Sequence, residues 1–119
     1  MSPEFATELL QEALQHANGT HELTDVLKAI SKGDLKLWAA DRSIAVTEVM
    51  NFPRKRVVSI FLAGGEPAEI AAHMPEVEAY ARSVGATGLM FYGRAPKVAA
   101  WAKLFPDFKP AWVCMWKDL

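Results

Sequence analysis

The sequence is short of most features that make a function easy to read. It holds one cysteine, Cys114, so no disulfide can form within the chain. That fits a reducing compartment. Cys114 lies in the apolar run Ala111–Trp116. A buried, inert thiol is the expectation there, with a reactive nucleophile as the alternative. The three histidines, His16, His21 and His73, are scattered, and none has metal-ligand spacing with Cys114 or another histidine. No metal is expected. The formal net charge is −1, so no global field steers the chain toward nucleic acid or an anionic membrane. Its basic run is Arg54-Lys55-Arg56, a cluster of turn length that is usually just solvated. The alternative is a grip on phosphates of CoA or DNA, or on an acidic partner. No apolar stretch has the length of a membrane span, and no basic-then-apolar signal pattern is present, so a cytoplasmic location is expected.

What the sequence does have is apolar and aromatic mass. Its 119 residues are 51% hydrophobic and 23% charged, with four Trp, six Phe and two Tyr. Aromatic side chains bury large areas, which lets a short chain fold without staples. This length predicts one domain, residues 1–119, with room for a single core.

Periodicity predicts the elements. Pro3-Glu4 suits a helix start, and Phe5, Leu9, Leu10, Ala13, Leu14 and Ala17 recur at helical spacing. Asn18-Gly19 supplies a left-handed stop. Thr20 is the expected cap of a second helix, with Leu23, Val26, Leu27 and Ile30 as its apolar face. Residues 1–33 thus form an N-terminal helical pair, and residues 34–119 a mixed sheet with two helices. The expected strands of a meander are Leu35–Ala40, Ile44–Met50 and Arg56–Ala63. The third is almost continuously apolar, as befits a central strand covered on both faces. Pro75 is expected to break the next helix into a turn over Pro67–His73 and a helix from Pro75 to Gly85. A fourth strand, Thr87–Tyr92, a short helix, Pro96–Phe105, and a last strand, Ala111–Trp116, complete the chain. Arg56–Ala63 and Thr87–Tyr92 flank one helix and should be parallel neighbours. In the last strand Trp112, Cys114 and Trp116 share one side. Core is the default for that side, and a dimer or assembly face is the alternative.

This order of elements resembles the GNAT acyltransferase fold. The matching stretch runs from Leu35 to Trp116, with Glu76–Leu89 similar to that family's helix-to-strand segment and Ala99–Pro110 similar to its closing helix and turn. The chain is also similar, over nearly its whole length, to a group of small tailed-phage proteins. The residues that carry this likeness are Gly19-Thr20-His21, Val46-Thr47-Glu48, Phe52-Pro53-Arg54 and Leu62-Ala63-Gly64-Gly65. The resemblances imply an α/β, GNAT-like fold and a phage protein, some relatives of which sit in or near virion internal and ejection proteins. They also raise acetyl-CoA as a cofactor, with Leu62, Ala63, Gly64, Gly65 and Ala68 as its binding segment.

The chemistry that segment must supply is specific. A pyrophosphate is held by backbone N–H groups at a helix N-terminus, and glycines let it approach. The family pattern begins with a basic residue or Gln, which Leu62–Ala68 lacks. Glu66 puts a negative charge where phosphate would sit, and Pro67 removes an N–H. The simpler reading is that Gly64-Gly65 turns the chain, since a glycine pair alone is weak. Acyl transfer also needs a base and an acid. The closing helix has no Tyr in the usual place for the acid. Glu48 is the base candidate, or else a solvated edge carboxylate; Tyr92 is the acid candidate, or else packs in the core. Two functions are therefore carried forward, beside a third with less support, a DNA-binding accessory protein using Arg54–Arg56. One is a degenerate GNAT-like phage domain acting through protein contacts or self-association, virion- or assembly-associated. The other is an acetyl-CoA-dependent N-acetyltransferase.

Overall fold

The computed structural model describes residues 1–93 and 95–119. Helix α1 spans Pro3–Leu14 and α2 spans Leu23–Lys32. Three strands follow, β1 Leu35–Ala39, β2 Ser43–Asn51 and β3 Arg56–Gly65. Helix α3, Pro67–Ser83, leads to β4, Gly88–Phe91, and α4 spans Ala95–Leu104. The sheet order is β1-β2-β3-β4, with the first two pairings antiparallel and the third parallel. The chain is thus a mixed α/β domain, and the βαβ unit read from the sequence is present.

Local chemistry accounts for most boundaries. The Ser2 hydroxyl accepts from the Phe5 N–H at 3.1 Å and caps α1 ahead of Pro3. Asn18 and Gly19 both take positive φ after it. Glu22, not Thr20, opens α2. The Asp25 carboxylate accepts from the Glu22 N–H at 2.9 Å, while the Thr20 hydroxyl donates backward to the Ala17 carbonyl. Thr20 is committed to the preceding turn and so is not the cap.

Pro75 does not break α3, contrary to expectation. Ile70, Met74, Val77 and Ala81 form one buried stripe running through it, at helical spacing. Each large side chain buried is worth about 1.5–3 kcal/mol. A proline inside a helix costs about 3 kcal/mol. The stripe wins, and the helix runs on.

Register assigns side chains to faces. Ile44, Val46, Leu35 and Leu62 point to the side covered by α1 and α2, where they pack with Leu9, Leu10 and Val26. Thr47, Ile60, Leu89 and Phe91 point to the side of α3 and α4, with Ile70, Met74, Val77 and Phe105. Between Val46↔Leu62 and Thr47↔Ile60 the register slips, leaving Phe61 as an extra residue in a β-bulge. Phe61 packs on the α1/α2 side, and the His21 ring lies 4.6 Å from it. Phe5 and Leu27, expected on the apolar faces of the helices, are exposed.

The expected last strand is absent. Residues 109–119 have no regular structure, and Trp112, Val113, Met115 and Trp116 are 59–92% exposed. Cys114 is exposed as well, which corrects the expectation of a buried thiol. No helix among the described residues is long and apolar enough to cross a membrane.

Candidate functional site

The first candidate region is the β3–α3 junction. β3 pairs with β4 only through Val57↔Gly88, Val58↔Leu89, Ser59↔Met90 and Ile60↔Phe91. Beyond Ile60, β3 continues to Gly65 without a β4 partner, because β4 ends at Phe91. Leu62, Ala63, Gly64 and Gly65 form the end of that stretch, and Ala68 lies in the first turn of α3. Leu62 is buried in the core on the α1/α2 side, and Ala63 packs on the opposite side.

Both glycines have their open side against the protein's own backbone. A Cβ on Gly64 would lie 3.2 Å from the Leu9 carbonyl oxygen. On Gly65, where φ is +95°, it would collide with the Arg42 carbonyl oxygen. The start of α3 is also tied down. The Glu66 N–H donates to that same Arg42 carbonyl at 3.2 Å. The Glu69 carboxylate accepts from the Arg42 N–H at 2.9 Å and from the Ser43 hydroxyl at 2.6 Å. An acidic side chain in the first turn suits the positive end of the helix.

The Ser43 hydroxyl, and then the Arg42 N–H, hold the Glu69 carboxyl below its ordinary value of 4.5. The unfolded chain therefore takes up this proton more readily than the folded one. The stability from Glu69 is fully present above about pH 4.5 and is lost as pH falls through the lower folded value. Glu69→Gln keeps an acceptor oxygen without the charge. Its melting temperature should change less than that of the wild type across the acid range. Thermal melts at stepped pH check this; parallel curves for the two proteins would reject the assignment.

The second region lies on the α1/α2 face of the sheet. Pairing places Glu48 opposite Ser59 and Ser59 opposite Met90, so the three share that face. Tyr92 follows the end of β4, within electrostatic reach of Glu48. The structure thus brings together Glu48 and Tyr92. Burial, then the nearby Glu48 carboxylate, then Cys114, raises the Tyr92 phenol above its ordinary value. Tyr92 is itself 54% exposed, so core packing does not describe it.

Ser59 is the residue the sequence reading missed. It is 1% exposed, and its Oγ has no hydrogen-bond partner among the described residues. Buried polar atoms are rarely left unpaired. The available signal was a lone hydroxyl inside the apolar run Val57–Leu62.

Other sequence candidates go elsewhere. Arg56 donates to Asn51 Oδ1 at 2.7 Å and to the Val84 carbonyl at 2.6 Å, joining the β2–β3 turn to the end of α3. One member of the basic run is therefore a structural brace. His73 pairs with Glu76 at 3.6 Å on α3. These two lie at the rim of an apolar cavity of about 100 Å³ between α3 and the sheet, lined by Trp38, Thr47, Ile60, Met74 and Val77. Trp38 Nε1 donates to Thr47 Oγ1 within it, at 2.9 Å. The cavity is on the opposite face from Glu48. No cluster of three or more His, Cys, Asp or Glu side chains suited to a metal occurs among the described residues.

No family model matches the chain, and no curated protein matches it. Among solved structures it is similar to a variant of TTHA1254 from Thermus thermophilus. The identity is 12% and the TM-score 0.68, over 100% of this chain and 94% of that one. At that identity the likeness speaks to the fold alone.

Proposed function

We propose that this chain is a GNAT-like domain of the tailed-phage type that acts through protein contacts, in or near the virion, and not by acyl transfer. The observation that carries this reading is the fate of Gly64 and Gly65. Glycines serve a phosphate site by leaving their backbone open to the ligand. Here the open sides face Leu9 and Arg42. Glu66, Pro67 and Glu69 then fill the first turn of α3 with one missing N–H and two carboxylates. Anion binding at that helix end is disfavoured on each count.

The second reading is an acetyl-CoA-dependent N-acetyltransferase, and a different observation favours it. Glu48 lies within electrostatic reach of Tyr92, and burial and then that carboxylate raise the Tyr92 phenol. In that reading Glu48 takes the proton from an acceptor amine, and Tyr92 protonates the departing thiolate.

One measurement separates them. A ligand that binds the folded state raises its stability in proportion to the logarithm of its excess over the dissociation constant. The expected result is an unchanged melting temperature in millimolar acetyl-CoA. A rise of several degrees would establish cofactor binding and remove the contact-only reading.

A further inference from the structure

We propose that the cavity between α3 and the sheet binds a small, neutral, apolar molecule with one hydrogen-bond acceptor, which the Thr47 hydroxyl engages. The inference goes beyond the protein-contact reading and does not depend on it.

The space follows from the residues that face one another. β2 turns Ala45 and Thr47 toward α3, two small side chains at successive inward positions. Met74 and Val77 close the space from α3. Trp38, paired with Ala45 across β1 and β2, is the largest side chain of the lining. It is held back from filling the gap. Its Nε1 donates to Thr47 Oγ1 at 2.9 Å, and its ring meets Tyr80 edge to face at 5.5 Å. The Lys36 ammonium, 5.0 Å from the Trp38 ring, adds a cation–π contact. An indole fixed in this way keeps about 100 Å³ open. Unfilled apolar space costs stability, and a ligand that fills it recovers part of that loss.

The lining sets the chemistry of the ligand. Among the described residues, His73 and Glu76 at the rim are its charged members. They pair with each other at 3.6 Å, and their side chains are 49% and 69% exposed. A charged ligand would leave water with no counter-charge waiting inside. Size limits it further. A cavity of about 150 Å³ takes benzene, so the part that enters this one has at most about six non-hydrogen atoms.

Thr47 fixes the polar point. An indole N–H only donates, so Thr47 Oγ1 is the acceptor in its bond to Trp38. The hydroxyl hydrogen of Thr47 is left over, and it is donated to no acceptor among the described residues. Thr47 is 2% exposed, so bulk water is not at hand to receive it. The other hydroxyl of the lining, Ser43, already donates to Glu69. Thr47 is therefore the donor that meets an acceptor oxygen on the ligand.

Cyclopentanone and methylenecyclopentane are the probes, two molecules of one shape that differ by an oxygen in place of a CH₂ group. The reporter is the Met74 methyl resonance of protein labelled at its methionine methyls, assigned by its loss in Met74→Leu protein. Cyclopentanone should shift it saturably, and methylenecyclopentane should bind more weakly. A purely apolar hollow would rank the two the other way, because the ketone surrenders its hydration on entry. That order would overturn the proposal. Thr47→Val should weaken cyclopentanone by about tenfold and leave methylenecyclopentane unchanged. Equal weakening of both would mean that the substitution had only released Trp38, and would overturn Thr47 as the donor. No saturable shift at Met74 with either probe, up to the limit of its solubility, would overturn the site itself.

Discussion

Gly65→Ala should be among the most damaging single substitutions in this chain. Gly65 sits at φ +95°, where a side chain is strained in any surroundings. Its added Cβ would also run into the Arg42 carbonyl oxygen and lie 2.7 Å from Ser43 Cα. These are backbone atoms and cannot swing aside as a side chain would. Glu69 grips this same turn through Arg42 and Ser43, and Glu66 donates to Arg42. The clash therefore spreads into the start of α3. A loss of about 3–5 kcal/mol is expected, the range for strain combined with overpacking. For a domain of this size that lowers the melting temperature by roughly 10 °C or more. Gly19→Ala is the matched control. Its φ is +72°, but nothing lies within 4 Å of the new carbon. Conformational cost alone remains, about 1–2 kcal/mol. Thermal melts of the two variants settle the matter. Equal losses would mean that the approach to Arg42 has no energetic weight.

The second large effect is expected at Phe105. It is 5% exposed and follows the last turn of α4. Its ring lies 6.0 Å from Phe91, 5.5 Å from Trp101 and 5.7 Å from Phe108. Phe105→Ala removes the centre of this cluster, and truncating a buried phenylalanine costs about 3–5 kcal/mol. The rings it leaves behind also lose their tilted contacts. The near-ultraviolet circular dichroism should fall, because Trp101 loses its fixed surroundings. Chemical denaturation measures the energy. A loss below about 1 kcal/mol would match a surface substitution and not a core one.

Most elements of this fold were legible in the sequence because they obey local rules. Val57–Leu62 is apolar on both faces, and the structure covers both. Asn18, Gly19 and Gly33 end helices with positive φ, as their residue types suggest. The errors came where a contact the rule did not consider outweighed it. Pro75 looks like a break until the stripe Ile70, Met74, Val77 and Ala81 is seen against the sheet. Thr20 looks like a cap until its hydroxyl is found on the Ala17 carbonyl. Ala111–Trp116 has the composition of a strand, but a strand needs a neighbour, and composition names none.

The candidate site was partly legible for the same reason. Glu48 and Tyr92 stand out in the sequence as chemistry-bearing residues, and only the fold brings them near one another. Ser59 passed unnoticed because a hydroxyl in an apolar run is informative only once its lack of a partner is known. The crowding of Gly64 and Gly65 was not legible at all. It depends on Leu9 and on Arg42, both far away along the chain.

The sheet also carries an order of assembly. β1, β2 and β3 are joined by short turns, so their pairing closes small loops and costs little entropy. β4 reaches β3 only across the whole of α3, and only four residue pairs reward that closure. Contacts distant along the chain form late when local ones come cheaply. The hairpins are therefore expected to pair ahead of β4. The flank of the sheet left bare longest is the one beside β4.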